Sequence, residues 1–121
     1  MLREAAFFGV VVSLLSVPAG AHHSFAMFDV DTTFERQAIL VEFQWTNPHA
    51  WLELTIMDDQ GESTHWSIEM SSPGSLASDG WRPRTLVPGD EVTVTFNPRR
   101  DGGHAGKFIS VVTPNGEKFG E

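Results

Sequence analysis

"AILVEFQWTNPHAWLELTIM", residues 38–57, decides how this chain folds. Ile39, Val41, Phe43 and Trp45 alternate with Leu40, Glu42 and Gln44, the period of two that lays one face of a strand on a core. "TNPH" (46–49) interrupts it, because Pro48 lacks an amide hydrogen and holds Asn47 out of helical geometry. Leu52, Leu54 and Ile56 then alternate with Trp51, Glu53 and Thr55, so a second strand returns from the corner. The reading is all-β and antiparallel.

The pattern continues downstream. "DDQG" (58–61) is a turn, with Asp and Gly supplying its unusual backbone angles. A third strand sets Trp66, Ile68 and Met70 against His65, Ser67 and Glu69. "SSPGSLASDGW" (71–81) predicts one short helix around Ser75 to Asp79, with Ser72 as N-cap, Pro73 at the first position and Gly80 as terminator. "VPGDEVTVTF" (87–96) is a turn and a strand with Val92, Val94 and Phe96 inward. "RRDGGHAG" (99–106) is a glycine-rich, flexible loop, Lys107 to Val112 is a fifth strand, and "PNG" (114–116) turns into a short piece around Phe119. Five strands with a helix between the third and fourth follow the order of an OB-like Greek-key barrel. A small sandwich satisfies the same periodicity. The expected core contains Ile39, Val41, Phe43, Leu54, Ile56, Trp66, Ile68, Val92, Val94 and Val111.

A chain of 121 residues suits one domain with one core. The net charge of -8 comes with scattered Lys and Arg, so no basic stripe exists to neutralise phosphates, and nucleic acid is excluded as the expected partner. With no cysteine there is no disulfide framework, thiolate nucleophile or Cys-based zinc site. The five histidines are the main candidate donors for a soft cation.

Residues 1–21 read as a cleaved signal peptide. Arg3 provides a basic start, and "AAFFGVVVSLLSV" (5–17) is apolar but shorter than the roughly 20 residues that span a bilayer. Pro18 breaks the run, and Ala19-Gly20-Ala21 is a small-residue cleavage site. The expected product is periplasmic or secreted, is not inserted in the membrane, and begins at His22. Residues 22–37 form an arm carrying "HHSF", and residues 38–121 form the barrel domain. Phe25 to Phe28 can staple the arm to the barrel.

Cleavage after Ala21 puts an α-amine, which titrates near 8, beside the imidazole of His22, and the two form a bidentate chelate. Copper(II) prefers nitrogen donors in a tetragonal arrangement. His49, presented from the proline corner, completes a brace-like site, with His23 replacing or supplementing it. Asp29 is a candidate oxygen ligand or a hydrogen-bonding support for these ligands, and Glu69 a candidate support. The alternative is that the histidine pair is a polar chain start and His49 a hydrogen-bonding corner residue. His65 and His104 are read as surface imidazoles with no partner at a recognisable spacing. Glu42, Glu53 and Glu69 form a solvated sheet face, and the four tryptophans plug core and corners. Ser67 and Ser71 lack the context of a hydrolase nucleophile, and no phosphate-binding, dinucleotide-binding or HExxH motif occurs. Three function classes remain. The first is a copper carrier, chaperone or accessory that works with a periplasmic partner protein. The second is a non-metal binding module for a small molecule or a protein, and the third is a copper-dependent oxidative enzyme.

"HHSFAMFD", "FQWTNPHAWLEL", "WSIEMSSPGSLASDGW", "LVPGDEVTVTFNPRRDG" and "SVVTPNGEKF" occur in this order. Together they resemble an uncharacterised family of small exported bacterial proteins, known as a domain of unknown function. The resemblance covers the mature chain and rests on HHSF, W-x-N-P-H and G-D-x-V. It implies export and a small β-barrel, ties His22, His23 and His49 together as motif residues, and supplies no reaction. His65 and His104 fall outside its motifs.

Overall fold

The computed structural model describes residues 25–120. A 3-10 turn, Phe25–Met27, leads to β1 (Phe34–Gln44), β2 (Trp51–Met57) and β3 (Ser63–Glu69). Helix α1 (Pro73–Ser78) follows, then β4 (Glu91–Pro98), β5 (Ala105–Val112) and the short β6 (Lys118–Gly120). The strands lie in the order β3-β2-β1-β4-β5-β6, and an additional β3–β5 pairing closes the first five into a barrel. That pairing is parallel and joins Ser67 to Ala105, Ile68 to Gly106 and Glu69 to Lys107; the others are antiparallel. The closure decides between barrel and sandwich, and gives the OB-like architecture that the element order predicts.

Leu52, Leu54, Ile68, Val94 and Val111 are fully buried, and Ile56 and Val92 nearly so, so β2 to β5 face the core as their alternation predicts. Strand β1 departs from expectation. Ile39 and Val41 are each 48% exposed, whereas Ala38 and Leu40 are buried. The cause is a β-bulge: Leu40 pairs with Leu54 and Glu42 with Glu53, which leaves Val41 as an extra residue. An extra residue shifts the alternation by one, so Ala38 and Leu40 point inward before the bulge, and Phe43 and Trp45 pack against the core after it. Replacing Ile39 by Thr should therefore change the stability by no more than about 0.5 kcal/mol, while Leu40→Ala should cost about 2–5 kcal/mol. Denaturant unfolding of the two variants checks this.

The helix forms for the reasons legible in its sequence. Ser72 Oγ accepts the amide of Ser75 (3.3 Å), Pro73 occupies the first turn, where its missing amide costs nothing, and Gly80 ends it at φ 94°. Pro73 and Leu76 are its buried residues, and the fully buried Trp81 follows it, in contact with Phe43, Phe108 and Phe119. At the β3–β5 seam, a Cβ on Gly106 would collide with the Phe96 ring and the Asn97 carbonyl oxygen. Glycine is what lets β5 lie this close to β4 at that point.

The arm is fastened to the opposite hairpin. Phe28 is buried and bridges to Arg99, and the amide of Asp29 donates to the Pro98 carbonyl (2.8 Å). Strand β1 begins at Phe34, before the alternation that starts at Ala38.

Candidate functional site

The β1–β2 corner is locked to the end of β3. Ala50 donates its amide to Ser71 O (3.0 Å), and Met70 donates its own to Ala50 O (2.9 Å). Thr46 Oγ1 donates to the carbonyl of His49 (3.0 Å). The imidazole of His49 is thereby held with Nδ1 2.8 Å from the Met70 carbonyl oxygen. A carbonyl oxygen only accepts, so Nδ1 carries the hydrogen and the neutral ring keeps its lone pair on Nε2. Glu69 Oε1 lies 3.7 Å from the same Nδ1, with the two side chains 26% and 12% exposed for His49 and Glu69. An imidazole oriented through one nitrogen by a carbonyl and a neighbouring carboxylate is the arrangement that metal-ligating histidines use.

Of the residues singled out in the sequence, His49 and Glu69 are thus brought together. Asp29 is engaged elsewhere: its carboxylate accepts the Thr32 hydroxyl (2.7 Å) and the Asp31 amide (3.2 Å), and Arg100 stands 3.9 Å away. These contacts, the Thr32 hydroxyl first among them, hold its carboxyl below the ordinary aspartate range. His22 and His23 lie outside the described residues. Among the described residues, no three His, Asp or Glu side chains are grouped to hold a metal ion.

His65 departs from expectation. Its Nε2 lies 2.6 Å from Glu53 Oε2, and Ser67 Oγ donates to the same oxygen (2.6 Å). Both donors point at one carboxylate oxygen, so Ser67 hands its hydrogen to Glu53 rather than to His65, which is not the geometry of an activated nucleophile. The signal was available in the register. The turn at Asp58–Gly61 sets Thr55 opposite His65 and Glu53 opposite Ser67, which makes Glu53 and His65 diagonal neighbours. Glu53, with its side chain only 15% exposed, is therefore more than part of a solvated face. His104 also has a partner: its ring lies 5.0 Å from that of Trp66, tilted by 32°. Its glycine loop is cross-braced rather than loose. Asp101 receives Arg99 through both oxygens and also accepts the Gly103 amide. The Arg99 contact leads in holding the Asp101 carboxyl below its ordinary range, and the Arg99 guanidinium is pushed up.

The fold and the corner define a small OB-like barrel that presents an oriented imidazole at its first loop. The chain belongs to the family of unknown function DUF6152, which matches residues 10–108. That span takes in the histidine pair, the proline corner, Glu69 and the glycine loop. Neither the curated proteins nor the solved structures contain a match.

Proposed function

We propose that this is an exported metal-binding protein that takes up copper(II) at its processed amino terminus and acts as a carrier, chaperone or accessory in the periplasm or outside the cell. The ligands are the α-amine and imidazole of His22, the imidazole of His49, and His23. One observation carries the reading: the Nδ1 of His49 is engaged by Met70 O beside Glu69, so Nε2 is the ligating nitrogen of a ring that loses little freedom on binding. Nitrogen donors without a thiolate favour copper(II) among the common divalent ions. The sequence motifs tie the terminus and the corner together, and burial of Phe28 supplies the arm with an anchor.

The protein isolated from its natural site of export, with no added residues, should have an intact mass that begins at His22. Elemental analysis should give about one copper per chain. A mass that retains residues 1–21, or a protein that takes up no copper, overturns the reading.

A second reading has its own observation. The outer face of β2 and β3, where OB-type barrels bind ligands, carries the bonded set Glu53, His65 and Ser67. A binding module that uses this face would hold its ligand with equal strength in the presence of chelators.

A further inference from the structure

Strand β1 outruns its partner on one side. Its register with β2 stops at Ala38, opposite Ile56, whereas its register with β4 continues to Phe34, opposite Phe96. Leu40 shows which way the backbone points: its amide donates to Asp90 O (2.9 Å), and its carbonyl accepts the Gly89 amide (2.8 Å). Backbone groups alternate sides along a strand, so the even-numbered residues here address β4, and Glu35 and Gln37 turn their amides the other way. No described strand pairs with Glu35, Arg36 or Gln37 on that side, and all three are exposed. The Glu35 carbonyl accepts a bond from the chain's own Arg36 instead, with NH1 2.9 Å from the oxygen.

A groove of about 710 Å³ opens along this edge, between Glu35–Ile39 of β1 and the Met57 and Ser63 ends of the next hairpin. Its apolar surface is Met57, 63% exposed, and the exposed Ile39. Its charge is mainly acidic. Glu35 and Glu91 line it, and Asp58, Asp59 and Glu62 are exposed in the adjoining turn. Arg36, which also lines it, holds its guanidinium over the Phe34 ring, Cζ 4.5 Å from the centroid. A second copy of the chain does not fit this edge. A two-fold strand pair sets a residue opposite its own copy, so centring on Glu35 or Arg36 puts like charges face to face, which is destabilising. Centring on Gln37 would overlap Ala38 and Ile39, already held by β2.

We infer that the Glu35–Gln37 edge of β1 is a docking site for an extended, basic segment of a partner protein, which adds as a short strand where β2 leaves off. Main-chain bonds to Glu35 and Gln37 supply the attachment, as in other cases of strand addition, and the guest displaces Arg36 from the Glu35 carbonyl. Side chains supply the choice of guest. A Lys or Arg opposite Glu35 is the favoured cross-strand pair, and an apolar residue two positions along the same face packs on Met57 and Ile39. So short an edge makes the contact weak and reversible, as in transient encounters. Neither His49 nor the amino terminus takes part, so the site is independent of the copper reading.

The probe is a fluorescein-labelled peptide, Lys-Val-Lys-Val-Lys-Val, titrated with the exported chain and read by fluorescence anisotropy. Its controls are the same peptide N-methylated at alternate amides, which keeps the charge but cannot extend a sheet, and a Glu-Val counterpart. The Lys-Val peptide should bind, and both controls should bind on the order of tenfold more weakly or not at all, since they lack the main-chain bonds or the charge match. Glu35→Lys, an exposed change that should melt as the parent does, should weaken binding on the order of fivefold. Saturating peptide should slow hydrogen exchange at the Glu35 and Gln37 amides and leave the amides of β5 unchanged. An N-methylated peptide that binds as tightly as the parent peptide would reduce the contact to charge attraction and overturn the proposal. Absence of binding, or unchanged exchange at the two amides, overturns it as well. So does sedimentation as a dimer with those amides already protected, which would give the edge to a second copy.

Discussion

Val94→Asp should leave the protein unfolded at ordinary temperature. Val94 is fully buried in β4, opposite Arg36 of β1 on one side and Val111 of β5 on the other. A buried carboxylate without a partner costs several kcal/mol, and a small domain has only about 5–15 kcal/mol in total. Loss of the cooperative melting transition in circular dichroism is the expected result. The same substitution at Val41, exposed on the bulge, should retain that transition. A folded Val94→Asp protein would mean that the inward face of β4 is misassigned.

His49→Ala should weaken copper(II) binding by about 100-fold or more, beyond the roughly tenfold to 100-fold typical of residues that merely orient a ligand. If His49 is a ligand as proposed, the mutation removes a nitrogen donor whose ring the Met70 carbonyl already holds in place, so no other side chain regains the lost bond at equal entropic cost. One residue added before His22 should also weaken binding, because the free amine would then sit one peptide away from the imidazole it must chelate with. His104→Ala should leave affinity nearly unchanged, since that ring packs at a tilt against Trp66. Affinity should fall with falling pH, because protons compete for the same nitrogens. Copper titration followed by electron paramagnetic resonance on these variants is the measurement. If the extended form and His49→Ala both bind as tightly as the parent, the brace is wrong.

Much of the fold was legible because each strand announces its own face. Leu54, Ile56, Ile68, Val92, Val94 and Val111 are buried as their alternation predicts, and the helix follows from Ser72, Pro73 and Gly80. The exposure of Ile39 and Val41 was not legible. The bulge is a count of residues against a partner strand, and Ala38 to Val41 are apolar in either phase, so their pattern does not reveal it. The site was legible to the same extent. A histidine after Asn-Pro reads as a corner residue, but its partner is the backbone of Met70, and nothing in a side-chain pattern reveals a carbonyl. The bond between His65 and Glu53 was within reach, given the strand register that the Asp58–Gly61 turn implies. Spacing along a single strand conceals it.

The seam between β3 and β5 holds by three register pairs, against six between β1 and β2 and seven between β2 and β3. It joins segments far apart in the chain, where loop closure costs entropy before contacts offset it. It is the natural place for the barrel to open by local fluctuation. The corner holding His49 belongs to the β2–β3 side of that seam, and the dock of the arm belongs to the β4–β5 side. An ion shared between His22 and His49 would therefore act as a latch across the barrel's weakest joint. It would favour the shut form by an amount that grows with the logarithm of free metal concentration, and metal supply would set how often the barrel breathes.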